Sequence, residues 1–101
     1  MGLSEGQKQW MKEQLAATLA GQQEVRRVVV FGSFLTSTQP HDLDVAVFQD
    51  SGEGYLALAM KYRRLTRDIA RCIPLDIVPL RSDATGTFLD EVNRGEVVYE
   101  R

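Results

Sequence analysis

The sequence predicts an α+β fold: a small mixed β-sheet with helices packed on it, in the order α-β-β-α-β-α-β. Three observations predict it. Apolar or β-branched runs of strand length occur at 26–31, 43–48 and 75–80. Two longer segments, 4–20 and 54–72, carry their apolar residues at three- and four-residue steps, the period of a helix with one buried face. The link between the first two runs is too short for a helical crossover, so those strands are expected to be antiparallel neighbours. The third run follows a long helical segment and can lie parallel to one of them through a right-handed crossover.

The first helix is expected from Ser4 to Ala20. Ser4 and Gln7 form the pattern of a capping box, Trp10, Met11, Leu15 and Leu19 recur at helical spacing, and Gly21 is placed to stop the helix. Arg26 to Phe31 reads as a strand buried on both faces, closed by Gly32. Residues 33–41 are rich in Ser, Thr, Gln and Pro and read as a loop. Leu43 to Phe48 is the second strand, and Gln49-Asp50-Ser51-Gly52 a turn. Tyr55, Leu58, Ala59, Tyr62, Leu65, Ile69 and Cys72 mark an amphipathic helix from Gly54 to Cys72, ended by Pro74. Leu75 to Leu80 is the third strand, and Pro79 places it near an edge. Ser82 or Asp83 is expected to cap a last helix reaching Asn93, with Gly95 as its stop and Val97 to Tyr99 as a terminal strand.

At 101 residues the chain reads as one domain, 1–101, with a modest core. The N-terminus lacks the basic-then-apolar pattern of a secretory signal, and no apolar run approaches the ~20 residues of a membrane span. A cytoplasmic location is the default expectation. The net charge of -2, from 12 basic and 14 acidic groups, gives no global electrostatic case for nucleic-acid binding. One Cys and one His argue against a zinc site and exclude an internal disulfide. Cys72 falls on the apolar stripe of its helix and is expected in the core.

Asp42 and Asp44 are the informative pair. Residues at i and i+2 of a strand point to the same face, and two carboxylates so close repel unless a cation, a proton or water relieves them. Yet the pair opens the apolar strand Leu43-Asp44-Val45-Ala46-Val47-Phe48. Hard oxygen ligands on a rigid strand suit Mg²⁺, which keeps waters and substrate phosphates in its remaining positions. Asp76 opens another apolar strand and faces the same pocket if the strands flank one another. Three such carboxylates can hold two metal ions, one activating an attacking oxygen and one stabilising a leaving pyrophosphate. Upstream, Gly32 lets the backbone turn sharply beside a ligand. Ser33 offers an N–H and a hydroxyl to phosphate oxygens, with a favourable dipole if it begins a helical turn. An Asp-x-Asp pair or a Gly-Ser turn alone is common on protein surfaces; the combination carries the argument.

Phe31-Gly32-Ser33, then Asp42-Leu43-Asp44-Val45-Ala46-Val47, then Leu75-Asp76-Ile77-Val78 together resemble the DNA polymerase β-like nucleotidyltransferase superfamily, and most of all its minimal (MNT) members. The eight residues between Ser33 and Asp42 agree with the family's spacing. The resemblance implies a nucleotidyltransferase-like fold and Mg²⁺- or Mn²⁺-dependent transfer of a nucleoside monophosphate, AMP from ATP, to a hydroxyl. Gly32 and Ser33 would hold the nucleoside triphosphate. Asp42 and Asp44 would bind the metals, and Asp76 would bind metal or activate the acceptor. Minimal members commonly pair with a small helical HEPN protein as antitoxin and toxin, the MNT partner adenylylating a tyrosine of the toxin. The alternative is a non-catalytic module that neutralises a helical partner by contact; a homo-oligomer is compatible with either. Two departures stand out: Phe34-Leu35-Thr36-Ser37 replaces a stretch in which the family often has Arg and Gly, and His41 stands where it often has Ser.

Other features have plainer readings. His41 reads as a solvated loop residue. Arg63, Arg67 and Arg71 repeat at i+4 and read first as a solvated helix face, with a docking surface for an acidic partner or nucleotide phosphates as the alternative. Trp10 and Met11 read as anchors of the first helix on its sheet, and Tyr55 and Tyr62 as the edge of the core.

Overall fold

A computed structural model describes residues 2–101. The elements are α1 (Glu5–Ala20), β1 (Val25–Phe31), α2 (Ser33–Thr36), β2 (Leu43–Gln49), α3 (Tyr55–Leu65), α4 (Arg67–Ala70), β3 (Leu75–Arg81), α5 (Phe88–Asn93) and β4 (Glu96–Glu100). They form the expected α+β arrangement around a four-stranded mixed sheet of order β3-β2-β1-β4. β1 is antiparallel to both β2 and β4, while β2 and β3 run parallel. β3 is an edge strand, which is why Pro79 costs no ladder hydrogen bond there.

Alternation along the strands divides the core. Val28, Val30, Val45, Val47 and Ile77 face α1, α3 and α4, packing on Met11, Leu15, Leu19, Leu58, Tyr62 and Ile69. Val29, Phe31, Ala46 and Phe48 face the other way, against Val92 and Leu89 of α5. One face of the sheet is therefore covered by three helices and the other by one short one. Among the described residues no helix is long and apolar enough to cross a membrane.

The capping box forms as read: the Ser4 hydroxyl accepts the Gln7 N–H at 3.1 Å and Gln7 Oε1 accepts the Ser4 N–H at 2.8 Å. Several expectations are corrected. The segment 54–72 is two helices, because Thr66 at φ -107°, ψ 20° donates its hydroxyl to the Tyr62 carbonyl at 2.7 Å and leaves the helical path. The phase is lost at that break, so Ile73 enters the core and Cys72 is exposed. Trp10 is off the buried stripe of α1, which runs Lys8, Met11, Leu15, Leu19, and is 45% exposed; Tyr55 is exposed as well, whereas Tyr62 is fully buried. The last helix begins only at Phe88. Neither Ser82 nor Asp83 caps it: the Ser82 hydroxyl bonds Asp50, Asp83 pairs with Arg81 at 3.5 Å, and Gly86 at φ 136° interrupts the segment.

Candidate metal and phosphate site

The chain brings three carboxylates together where β1 ends and β2 and β3 begin. Parallel pairing aligns Asp44 with Asp76, so both side chains share a face, and Asp42 joins them by the two-residue period. The parity of Ala46, Phe48 and Leu80 places that face on the α5 side, opposite the three-helix layer. One carboxylate oxygen from each of Asp42, Asp44 and Asp76 lies within 4.8 Å of the other two. Asp42 and Asp44 are partly buried and Asp76 is exposed.

No Lys, Arg or His lies within 4 Å of these carboxylates among the described residues; the ion pairs of the molecule are all elsewhere. Burial first, and then the charges of Asp42, Asp76 and Glu91, push the Asp44 carboxyl above the ordinary range. An uncompensated group of hard oxygens on two neighbouring strands is chemically fitted to a divalent cation. Glu91, on α5, is a fourth nearby carboxylate that the sequence argument missed. Only the packing of α5 on this face brings it near, and no local motif announces it. Phe88 also stands on this side, 44% exposed, with its ring edge-on to Phe31 at 5.8 Å between centroids; Phe31 pairs with Asp44.

Gly32 ends β1 at φ 80°, ψ -158°, a conformation open essentially to glycine alone. A Cβ there would lie 2.5 Å from Asp44 Oδ2, so the turn requires glycine, and any side chain in its place would have to displace the carboxylate beside it. Ser33 begins α2, and its carbonyl accepts the Ser37 N–H at 2.8 Å. The segment expected to be all loop thus opens with one helical turn, and Ser33 is exposed there beside the carboxylates. His41 is exposed. The loop from Ser37 onward is tied to α1: Lys8, only 5% exposed, donates to the Ser37 carbonyl at 2.6 Å, and the Leu3 N–H bonds the Thr38 carbonyl at 3.1 Å.

Fold and cluster together define an α+β domain whose sheet presents an acidic, cation-type site beside a glycine turn. The family model described as "Polymerase beta, Nucleotidyltransferase" matches residues 13–101, and the chain belongs to that family. Among solved structures, a chain from the crystal structure of the toxin-antitoxin MntA-HepT superposes with a TM-score of 0.62 at 19% identity, covering 92% of this chain and 73% of that one. A chain from a mutant of the pair superposes with a TM-score of 0.56 at 19% identity, covering 84% and 68%. At such identity the likeness speaks for the fold. No curated protein matches the sequence.

Proposed function

We propose that this chain is a divalent-metal-dependent nucleotidyltransferase that moves a nucleoside monophosphate, AMP from ATP, to a hydroxyl of a partner protein, as the antitoxin of a HEPN/MNT pair. The observation that carries it is the uncompensated cluster of Asp42, Asp44 and Asp76 against the Gly32 turn. Asp42 and Asp44 would hold Mg²⁺ or Mn²⁺, with Asp76 as a further ligand. The bound ion would supply charge neutralisation at the phosphates and a more acidic acceptor hydroxyl. Gly32 and Ser33 present backbone N–H groups and a hydroxyl to the triphosphate oxygens. In the transfer, the acceptor oxygen bonds to the α-phosphorus, the bond to pyrophosphate breaks, and the hydroxyl proton passes to Asp76, the most solvent-accessible of the three carboxylates. The likeness to a chain of a toxin-antitoxin pair supports a helical protein as acceptor.

The test is incubation of the chain with α-labelled nucleotides, Mg²⁺ and a small helical HEPN protein. Label is expected on that protein with the wild type and none with Asp42→Asn or Asp44→Asn. Transfer that survives either change sinks the site assignment. One observation favours a second reading, neutralisation by contact alone: the turn after Gly32 carries no Arg, and Lys8, the one buried cation near it among the described residues, is committed to the Ser37 carbonyl. Protection from the toxin by the variant lacking all three Asp would favour it.

A further inference from the structure

The described residues leave seven large hydrophobic side chains exposed, and four of them, Tyr55, Leu56, Met60 and Leu65, belong to α3. Two of the four fall in line with arginines. Leu56, Met60, Arg63 and Arg64 stand at i, i+4, i+7 and i+8, one seam along α3, and Arg67 opens α4 just past the Thr66 break. Tyr55 instead keeps register with Ala59 and Tyr62, toward the core side. Leu56 is 70% exposed and Met60 55%. Met60 and the three arginines line a single groove of about 330 Å³.

The arginines are not spent on structure. Lys61 pairs with Glu24 and Arg71 with Asp68. Arg63, Arg64 and Arg67 have no ion pair or side-chain hydrogen bond among the described residues. Three like charges on adjacent turns repel one another. The helix dipole rewards cations at the end of α3, but it gives no reason for Leu56 and Met60 to stand in water ahead of them. Exposed apolar side chains rimmed by unpaired arginine mark surfaces that bind protein.

We propose that the surface formed by Leu56, Met60, Arg63 and Arg64 of α3 with Arg67 at the start of α4 docks an acidic, amphipathic helix of a partner protein. Apolar side chains of that helix cover Leu56 and Met60, and its carboxylates meet the three guanidinium groups. From Leu56 to Arg64 the seam spans about 12 Å of helix, with Arg67 just beyond it, matching roughly two to three turns of such a partner. A nucleic acid fits less well. The seam offers no aromatic face for a base, its apolar half would be left uncovered by phosphates, and the whole chain is net negative. The seam lies on the three-helix side of the sheet, away from the carboxylate face, so a partner seated there leaves Asp42, Asp44 and Asp76 open. The inference is thus independent of the proposed transfer.

The test uses the full chain and a synthetic helical peptide of about sixteen residues, with Leu at i, i+4, i+7 and i+11 and Glu at the flanking positions. The comparisons are the same peptide with Lys for Glu, and a single-stranded RNA of about twelve nucleotides. The acidic peptide is expected to shift the backbone amide signals of 56–67. Its affinity should fall about tenfold or more in the combined variant Arg63→Glu, Arg64→Glu, Arg67→Glu, and fall with added salt. Leu56→Ser with Met60→Ser should also weaken it, which pure charge attraction would not predict. Dispersed amide spectra establish that both variants are folded. Absence of shifts in 56–67, equal binding of the Lys peptide, undiminished binding by the arginine variant, or displacement of the peptide by the RNA would each overturn the proposal.

Discussion

Two residues show how much single side chains carry here. Gly32 is held at positive φ and leaves the space that Asp44 occupies. Gly32→Ala should cost about 2 kcal/mol through backbone strain, a fall of roughly 10 °C in the thermal midpoint, and should push Asp44 out of the cluster. Calorimetry with and without Mg²⁺ checks both; a variant as stable as the wild type would show that the turn is not strained. Glu24 anchors a second constellation. Its carboxylate accepts from Tyr62 Oη at 2.8 Å and Lys61 Nζ at 3.0 Å. Burial alone would raise its pKa, but backbone hydrogen bonding and the Lys61 and Tyr62 donors outweigh it, and the net shift is downward. A carboxyl depressed in the folded state stabilises above its unfolded pKa of 4.5 and loses that contribution as pH falls through the folded value. Wild-type stability should therefore decline below about pH 4.5, and Glu24→Gln should flatten that decline. Parallel acid titrations of the two proteins, followed by circular dichroism, decide it; equal slopes would remove Glu24 as a source. Gly32 was legible in the sequence because it sits directly between a strand and a serine. The Glu24 cluster was not, since its three members meet only when α3 lies beside the start of β1.

At the scale of elements, periodicity told the truth where a helix kept its phase and misled where it broke. The stripe of α1 was readable, and extending it back from Met11 by three residues lands on Lys8. That lysine is the tether of the loop between Ser33 and Asp42, yet its charge disguised it as a surface residue. Spacing puts Cys72 in the core only if one helix runs across Thr66, and a threonine hydroxyl bonding back to Tyr62 is not announced by spacing. The Asp42, Asp44 and Asp76 arrangement was legible as far as alternation goes, while the adjacency of β2 and β3 had to come from the fold. Glu91 depends on where a six-residue helix packs, which no pattern in it decides. The tether gives a prediction for the element it holds. Lys8 Nζ stands 5.4 Å from the centre of the Phe34 ring; Lys8→Met keeps an apolar stem over that ring but removes the donor to the Ser37 carbonyl, leaving a partly buried acceptor unsatisfied at about 1–3 kcal/mol. Hydrogen exchange at 37–41 should accelerate more than in β1 or β2. Uniform acceleration throughout would mean a global loss of stability and no particular tie to the loop.

For the molecule as a whole, the carboxylate site is a cost that a cation can reverse. Its charges come from the starts of β2 and β3 and from α5, so their mutual repulsion acts against the closure of the sheet itself. Burial and the neighbouring Asp42, Asp76 and Glu91 raise the Asp44 pKa, so the folded state without metal holds a proton there more readily than the unfolded chain does. Between neutral pH and the unfolded pKa, this one group makes the metal-free protein more stable as pH falls, the opposite sense to Glu24. Replacing the charge should act as the proton does. Asp44→Asn is expected to melt at or above the wild type in chelator. A ligand that binds only the folded state stabilises by RT ln(1 + [L]/Kd), about 1.4 kcal/mol at ten times Kd, or roughly 6–11 °C for a domain of this size. The wild-type midpoint should therefore climb with the logarithm of Mg²⁺ concentration, while that of Asp44→Asn stays level. The two curves would start with the variant at or above the wild type and cross as metal is added. If chelator and Mg²⁺ leave the wild type unmoved, the three aspartates do not form a metal site, and the case for nucleotide transfer on this sheet goes with them.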